Sequence, residues 1–234
     1  MFELLLAAAI AAKPFVVDTE SARLDFRYAF PAEVNAIPAL AGKLRADMRA
    51  NRAEAVTDAR NAAAAAPKLK MPFNKHSFAK DWQLAGQSAR LLTLSGGMSL
   101  YLGGAHGSFS YVAMLWDRAR NREVDVSGLF TPGAFDRLTR ANLCRALDAE
   151  RRERRGGEEP IEGSFSECPP RADFAVVPVD ANRNGRFEAI DFLAGSYVAG
   201  PYAEGTYEIR LPVDGRLLKA LKPEYRTSFE RQRQ

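Results

Sequence analysis

Imidazole is scarce in this chain, which has only His76 and His106. His106 lies in Gly103-Gly104-Ala105-His106-Gly107, a tight glycine-lined turn where the backbone is open. A general base or a base–nucleophile pair there would need a partner such as Ser108, Ser110 or Asp117 within hydrogen-bond reach. The chain has neither a G-x-S-x-G elbow nor H-E-x-x-H, so no spacing compels that convergence. The plainer alternative is a structural histidine bonded to its own turn. A zinc site would need carboxylates from elsewhere beside the two histidines. The glycine turn is no phosphate cradle either, because it lacks G-x-x-x-x-G-K-[ST] and leads into a strand rather than a helix.

A second candidate is Asp180-Ala-Asn-Arg-Asn-Gly-Arg-Phe-Glu-Ala-Ile-Asp191. Its first half fits D-x-[DN]-x-[DN]-G, the opening of a calcium loop. Calcium would be held by Asp180, Asn182, Asn184, the Arg186 carbonyl and Asp191. Position twelve is Asp rather than Glu, and the flanks read as strands. The alternative is an Asx-rich hairpin turn in which Asn184-Gly185 supplies positive φ. A third candidate is Tyr197 to Gly205, YVAGPYAEG, where two tyrosines among small residues suit a binding surface or a capped sheet edge.

Gross properties limit these options. The 33 basic and 29 acidic residues leave a net charge of +4. The basic residues are dispersed except for Arg151, Arg152, Arg154, Arg155 and the Arg231 and Arg233 tail, with no stripe of interleaved aromatics, so nucleic acid is not an expected partner. Leu4 to Ala12 reads LLLAAAIAA, too short to span a bilayer, ending in small residues before Lys13-Pro14. Residues 1–13 therefore read as a signal-peptide remnant, although Met1-Phe2-Glu3 lacks a positive charge. No transmembrane segment is expected. Cys144 and Cys168 are the only cysteines, and an even count in an exported chain suggests a disulfide.

The elements that would position these residues are legible as periodicities. Ala22 to Phe30 alternates, with Leu24, Phe26, Tyr28 and Phe30 on one face. Asn35 to Ala66 reads as a long helix with a stripe of Ile37, Leu40, Leu44 and Met48. Strands follow around Phe78 to Leu84 and Leu92 to Leu102, with Gly96-Gly97 as an expected bend or bulge. Ser108 to Trp116 is apolar on both faces and reads as a central strand. Thr131-Pro132 opens a second helix, with Thr131 as N-cap, and Gly156-Gly157 closes it. Strands are expected at Asp173 to Val179, Phe187 to Phe192 and around Tyr207 to Leu211, then a short helical turn at Leu217 to Leu221 and a frayed tail. Few helices among turn-linked strands imply α+β with antiparallel sheets, one long N-terminal helix and a second central helix, rather than a βαβ array.

Taken together, Tyr101 to Gly107 (YLGGAHG), the Trp116-Asp117 turn, Gly128-Leu129-Phe130, YVAGPYAEG and YEIRLP resemble the paired domains of the RsiV anti-sigma factor ectodomain and the PdaC peptidoglycan deacetylase. The resemblance covers roughly residues 15–225. It implies a PdaC-like subdomain over 14–130 and an RsiV-like one over 131–234, joined in one compact unit. It further implies a periplasmic or secreted envelope domain that binds a protein or a peptidoglycan-related glycan, with a lysozyme-like hydrolase as one such partner. Tyr101, Gly103, Gly104, His106, Tyr197 and Tyr202 are the residues of the matching motifs and the expected binding set. The competing expectations are a hydrolase centred on His106 and a calcium-stabilised structural domain. No other cofactor is expected.

Overall fold

The computed structural model describes residues 13–157 and 165–232. The segment 1–13 read as a signal-peptide remnant lies outside the described residues, apart from Lys13, and so does Arg233. In chain order the elements are Phe15–Glu20 (β1), Leu24–Phe30 (β2), Ala32–Asn35 (α1), Pro38–Ala65 (α2), His76–Gln87 (β3), Leu91–Tyr101 (β4), Ser108–Asp117 (β5) and Arg122–Glu123 (β6). Ala134–Arg154 (α3), Ala175–Val179 (β7), Ala189–Ala194 (β8), Tyr207–Pro212 (β9) and Gly215–Ala220 (α4) complete them. The fold is mixed α+β. One sheet runs β1-β2-β3-β4-β5-β6 and a second runs β7-β8-β9.

The antiparallel expectation holds for every neighbouring pair except one. β2 and β3 are parallel, Phe26 lying opposite Phe78 and Tyr28 opposite Lys80. The cause is α2. Its 28 residues reach about 42 Å at 1.5 Å per residue, enough to return the chain to the end of the sheet where β2 began. A parallel neighbour requires such a crossover, whereas a hairpin cannot supply one.

α2 buries Leu40, Ala41, Leu44, Ala55 and Ala59. That face meets the alternating residues of β2 (Phe26, Tyr28, Phe30) together with Trp82, Leu94 and Trp116 in one core cluster. A second cluster gathers Phe135, Leu143 and Leu147 of α3, the inner residues of β8 and β9, and Leu91 and Leu115 from the first sheet. The two sheets also touch through Val177, Val179 and Leu193 on one side and Ala85, Tyr111 and Ala113 on the other.

Several local readings change. The register break between β3 and β4 lies between Leu84 and Gly86, not at Gly96-Gly97, which pair in register with Trp82 and Asp81. A Cβ on Gly96 would lie 2.8 Å from the Asp81 carbonyl oxygen, and one on Gly97 would lie 2.8 Å from the Phe109 ring. These glycines are there for close packing. The strand expected at Phe187 to Phe192 starts two residues later, because Phe187 instead bridges Phe229. α3 is entered through Gly133 at φ +68, not capped by Thr131. The expected frayed tail is docked, with Tyr225 and Phe229 buried. β1, which pairs antiparallel with β2, had no sequence signal of its own.

Candidate functional site

Two of the three motifs that the sequence singles out, 103–107 and 197–205, meet in space. The β4–β5 connection turns through Gly103 at φ +84, and the Asn74 side-chain amide donates to the Gly103 carbonyl at 2.8 Å. This presents His106 to solvent. Its Nδ1 lies 2.9 Å from the Gly107 carbonyl. A carbonyl can only accept, so Nδ1 carries a proton, and Nε2 faces the Tyr197 hydroxyl at 3.3 Å. The Tyr202 ring stacks on the imidazole at 4.1 Å between centroids. Tyr197 and Tyr202 lie 5.6 Å apart, and both remain substantially exposed, at 50% and 41%.

The loop that carries both tyrosines is anchored from two sides. Ser196 N–H donates to the Phe109 carbonyl at the start of β5. There the backbones are so close that a Cβ on Gly195 would fall 2.7 Å from that oxygen. The second anchor is the arginine cluster at the end of α3. Buried Arg151 donates to the Ala199 carbonyl at 2.9 Å, Arg154 to the Glu204 and Thr206 carbonyls, and Arg155 to the Glu204 carboxylate at 2.7 and 3.0 Å. The Arg155 guanidinium holds the Glu204 carboxyl below the usual carboxylate range. Burial, then the Glu204 carboxylate that its hydroxyl bonds, pushes Tyr207 up to about 12. In sequence this cluster looked like an ordinary cationic helix end. Its alignment with the carbonyls and the Glu204 carboxylate of a loop some fifty residues later has no local signature.

Tyr197 sits at φ +66, a left-handed conformation that costs a side-chain-bearing residue about 1–2 kcal/mol. Tyr101 and Gly104 belong to the same motif but not to the ring cluster. Tyr101 ends β4 opposite Ser77, and Gly104 has open space where a Cβ would stand.

The other candidates are placed differently. No hydrogen bond joins His106 to Ser108, Ser110 or Asp117 among the described residues. The Asp117 carboxylate is buried and bonded to Arg90 and Tyr225. His76 is buried beneath Gly103 and against Phe73. Asp180, Asn182 and Asn184 share one turn. Asp180 accepts the N–H groups of Asn184 and Gly185, and Asn182 and Asn184 both donate to Glu230. Asp191 lies along β8 with both oxygens on Arg210 at 2.7 and 2.8 Å. Among the described residues no group of three His, Cys, Asp or Glu side chains is arranged to hold a metal ion. Cys144 and Cys168 form a disulfide that ties α3 to the segment before β7. No described helix is long and apolar enough to cross a membrane.

The fold, with its two sheets and crossover helix, is that of a group of bacterial proteins of solved structure. The chain is similar to a DUF3298 family protein from Pseudomonas aeruginosa, at a TM-score of 0.58 and 15% identity over 91% of this chain and 95% of that one. It is also similar to a DUF3298 family member from Bacteroides fragilis, at a TM-score of 0.52 and 15% identity over 86% and 90%. No family model and no curated protein matches the sequence.

Proposed function

We propose that the chain is a non-catalytic binding domain of the bacterial envelope, of the type found in the RsiV ectodomain and beside the PdaC deacetylase. Its contact surface is the His106–Tyr197–Tyr202 cluster, and its partner is an envelope protein or a peptidoglycan-related glycan, with a lysozyme-like hydrolase the first protein to test. The observation that carries this reading is the exposed ring triad, assembled from two distant loops and including a tyrosine in a backbone conformation that glycine would adopt without strain. Strain of this kind persists where the surrounding structure enforces it, and it clusters at ligand-contacting positions. Rigid aromatic rings with polar tips supply much of the energy of recognition surfaces.

The experiment is titration of the folded protein with lysozyme and, separately, with soluble peptidoglycan fragments, followed by calorimetry. Binding of either probe should weaken at least tenfold in His106→Ala and in Tyr202→Ala, with melting temperatures near that of the wild type. If neither probe binds, or if both variants bind as well as the wild type, the reading fails.

A further inference from the structure

β5 is the last long strand of its sheet, and part of its outer edge is bare. Along β5 the even-numbered residues face β4 through their backbone groups, as the continuation of that ladder at Arg118 N–H to Arg90 carbonyl shows. The odd-numbered residues turn their N–H and C=O outward. At one end the Phe109 carbonyl accepts from Ser196 N–H, and at the other the Leu115 carbonyl accepts from Val124 N–H. β6 is only two residues long and pairs with Trp116 and Asp117 alone. Between these closures the backbone N–H and C=O groups of Tyr111 and Ala113 have no partner among the described residues. That is four main-chain groups at strand spacing.

The window is flanked by a hollow on each face. On the second-sheet side a groove of about 710 Å³ runs between Tyr111 and Ala113 and the Arg171–Val176 segment. On the α2 side a second hollow, of about 620 Å³, is floored by Trp82, Val112 and Met114. Both share Ala113, Met114 and Glu123, so they are the two sides of one edge. The first hollow carries Asp125 and Asp173, together with a Glu123 that Lys43 pairs from the other side, against a single cation of its own, Arg171, whose guanidinium is already within ion-pair distance of Asp125 and Asp136. In the second, Lys80 pairs with Asp47 and Lys43 with Glu123, so charge is balanced over an apolar floor.

We propose that this edge is a docking site for an extended segment of a partner polypeptide, which adds to the sheet as a strand beside β5. Main-chain bonds to Tyr111 and Ala113 give the attachment, and alternate side chains enter the two hollows, as in β-augmentation. The charge pattern specifies the segment. Side chains directed to the second-sheet side are basic, and those directed to the α2 side are apolar. The opposite edge of the sheet offers no such site, since β1 is exposed and carries Asp18 and Glu20, charges of the kind that blunt an edge.

The test uses a short peptide of alternating Val and Lys, its Val-Glu counterpart, and two N-methylated versions of the Val-Lys peptide, with methyl groups on one or the other alternate set of amides. The Val-Lys peptide should bind and slow hydrogen exchange at the Tyr111 and Ala113 amides at least tenfold. One N-methylated version should lose binding and the other keep it, and the Val-Glu peptide should bind at least tenfold more weakly. Ala113→Pro removes an outward N–H without touching the β4 ladder and should abolish binding while the protein stays folded. If Ala113→Pro does not fold, the two methylated peptides decide alone. No binding by the Val-Lys peptide, equal tolerance of both methylation patterns, unchanged exchange at Tyr111 and Ala113, or self-association of the protein through this edge in place of peptide binding would overturn the proposal.

Discussion

The Tyr225 hydroxyl donates to the Asp117 carboxylate at 3.0 Å, joining the C-terminal turn to the far end of β5. The same carboxylate, fully removed from solvent, also accepts from Arg90 at 3.0 and 3.2 Å and from the N–H groups of Ala119 and Arg120. Burial alone would raise the Asp117 pKa, but the Arg90, Arg120 and Tyr225 donors outweigh it and hold the carboxyl below the usual range. A carboxylate depressed in the folded state contributes stability that is full above the unfolded value, about 4. That stability is lost as pH falls through the lower folded value. Asp117→Asn should therefore cost about 3 kcal/mol near neutral pH, the lower end for breaking a buried ion pair. The gap to the wild type should narrow below about pH 4. Urea denaturation of both proteins at neutral and acid pH measures this, and a gap that does not change with pH would sink the argument.

Removing the disulfide should loosen more than its own loop. Cys144 and Cys168 are 24 residues apart, and opening a loop of that size is worth about 3 kcal/mol on the chain-entropy model. Arg140 bonds the Cys168 carbonyl, and Arg151 joins the Glu167 carbonyl to that of Ala199. Cys144→Ser/Cys168→Ser should lower the melting temperature and also broaden the NMR signals of the Tyr197 to Gly205 loop. A variant that loses stability with that loop unchanged would show that the two are uncoupled.

Gly195→Ala tests how the tyrosine loop is seated. The new methyl would meet the Phe109 carbonyl at 2.7 Å and the Ser110 Cα at 2.8 Å. Neither is the end of a flexible side chain, so the backbone has to move. We expect a loss of about 1–3 kcal/mol and displaced His106 ring resonances. Unshifted His106 resonances would mean that the turn yields without disturbing the cluster.

Tyr197→Gly should separate stability from recognition. It relieves a left-handed tyrosine at φ +66 but removes the hydroxyl facing His106. Replacing an exposed, strained side chain should leave stability within about 1 kcal/mol of the wild type, in either direction. Binding by the ring cluster should weaken severely. Calorimetric melting together with the lysozyme and glycan titrations reads both quantities, and a sharp fall in melting temperature would assign Tyr197 to structure instead.

These sites show what a sequence can and cannot carry. The alternation of Leu24, Phe26, Tyr28 and Phe30 marks β2 because each residue meets the same environment at period two. The Leu40–Leu44 stripe marks the core face of α2 for the same reason at its own period. The Cys144–Cys168 pair was legible from count, these being the two cysteines of the sequence. The parallel β2–β3 pairing was not, because strand direction is set by where α2 delivers the chain and not by any residue within either strand. His106 and the two tyrosines could each be singled out by composition, but their meeting depends on Arg151 and Arg155 reaching a distant loop. The bare stretch of β5 follows from the shortness of β6.

The docking of Pro223–Ser228 also bears on how the molecule comes into being. Ser228 meets Ser88 across 140 positions, and Tyr225 meets Asp117 across 108. Contacts that close such long loops form slowly, and they form late. A chain that emerges N-terminus first has made every strand of both sheets before this segment arrives, so Ser88 and Asp117 wait for their partners. The hydroxyl that completes the hydrogen bonding of the buried Asp117 carboxylate is thus supplied only once residues 223–228 have been made.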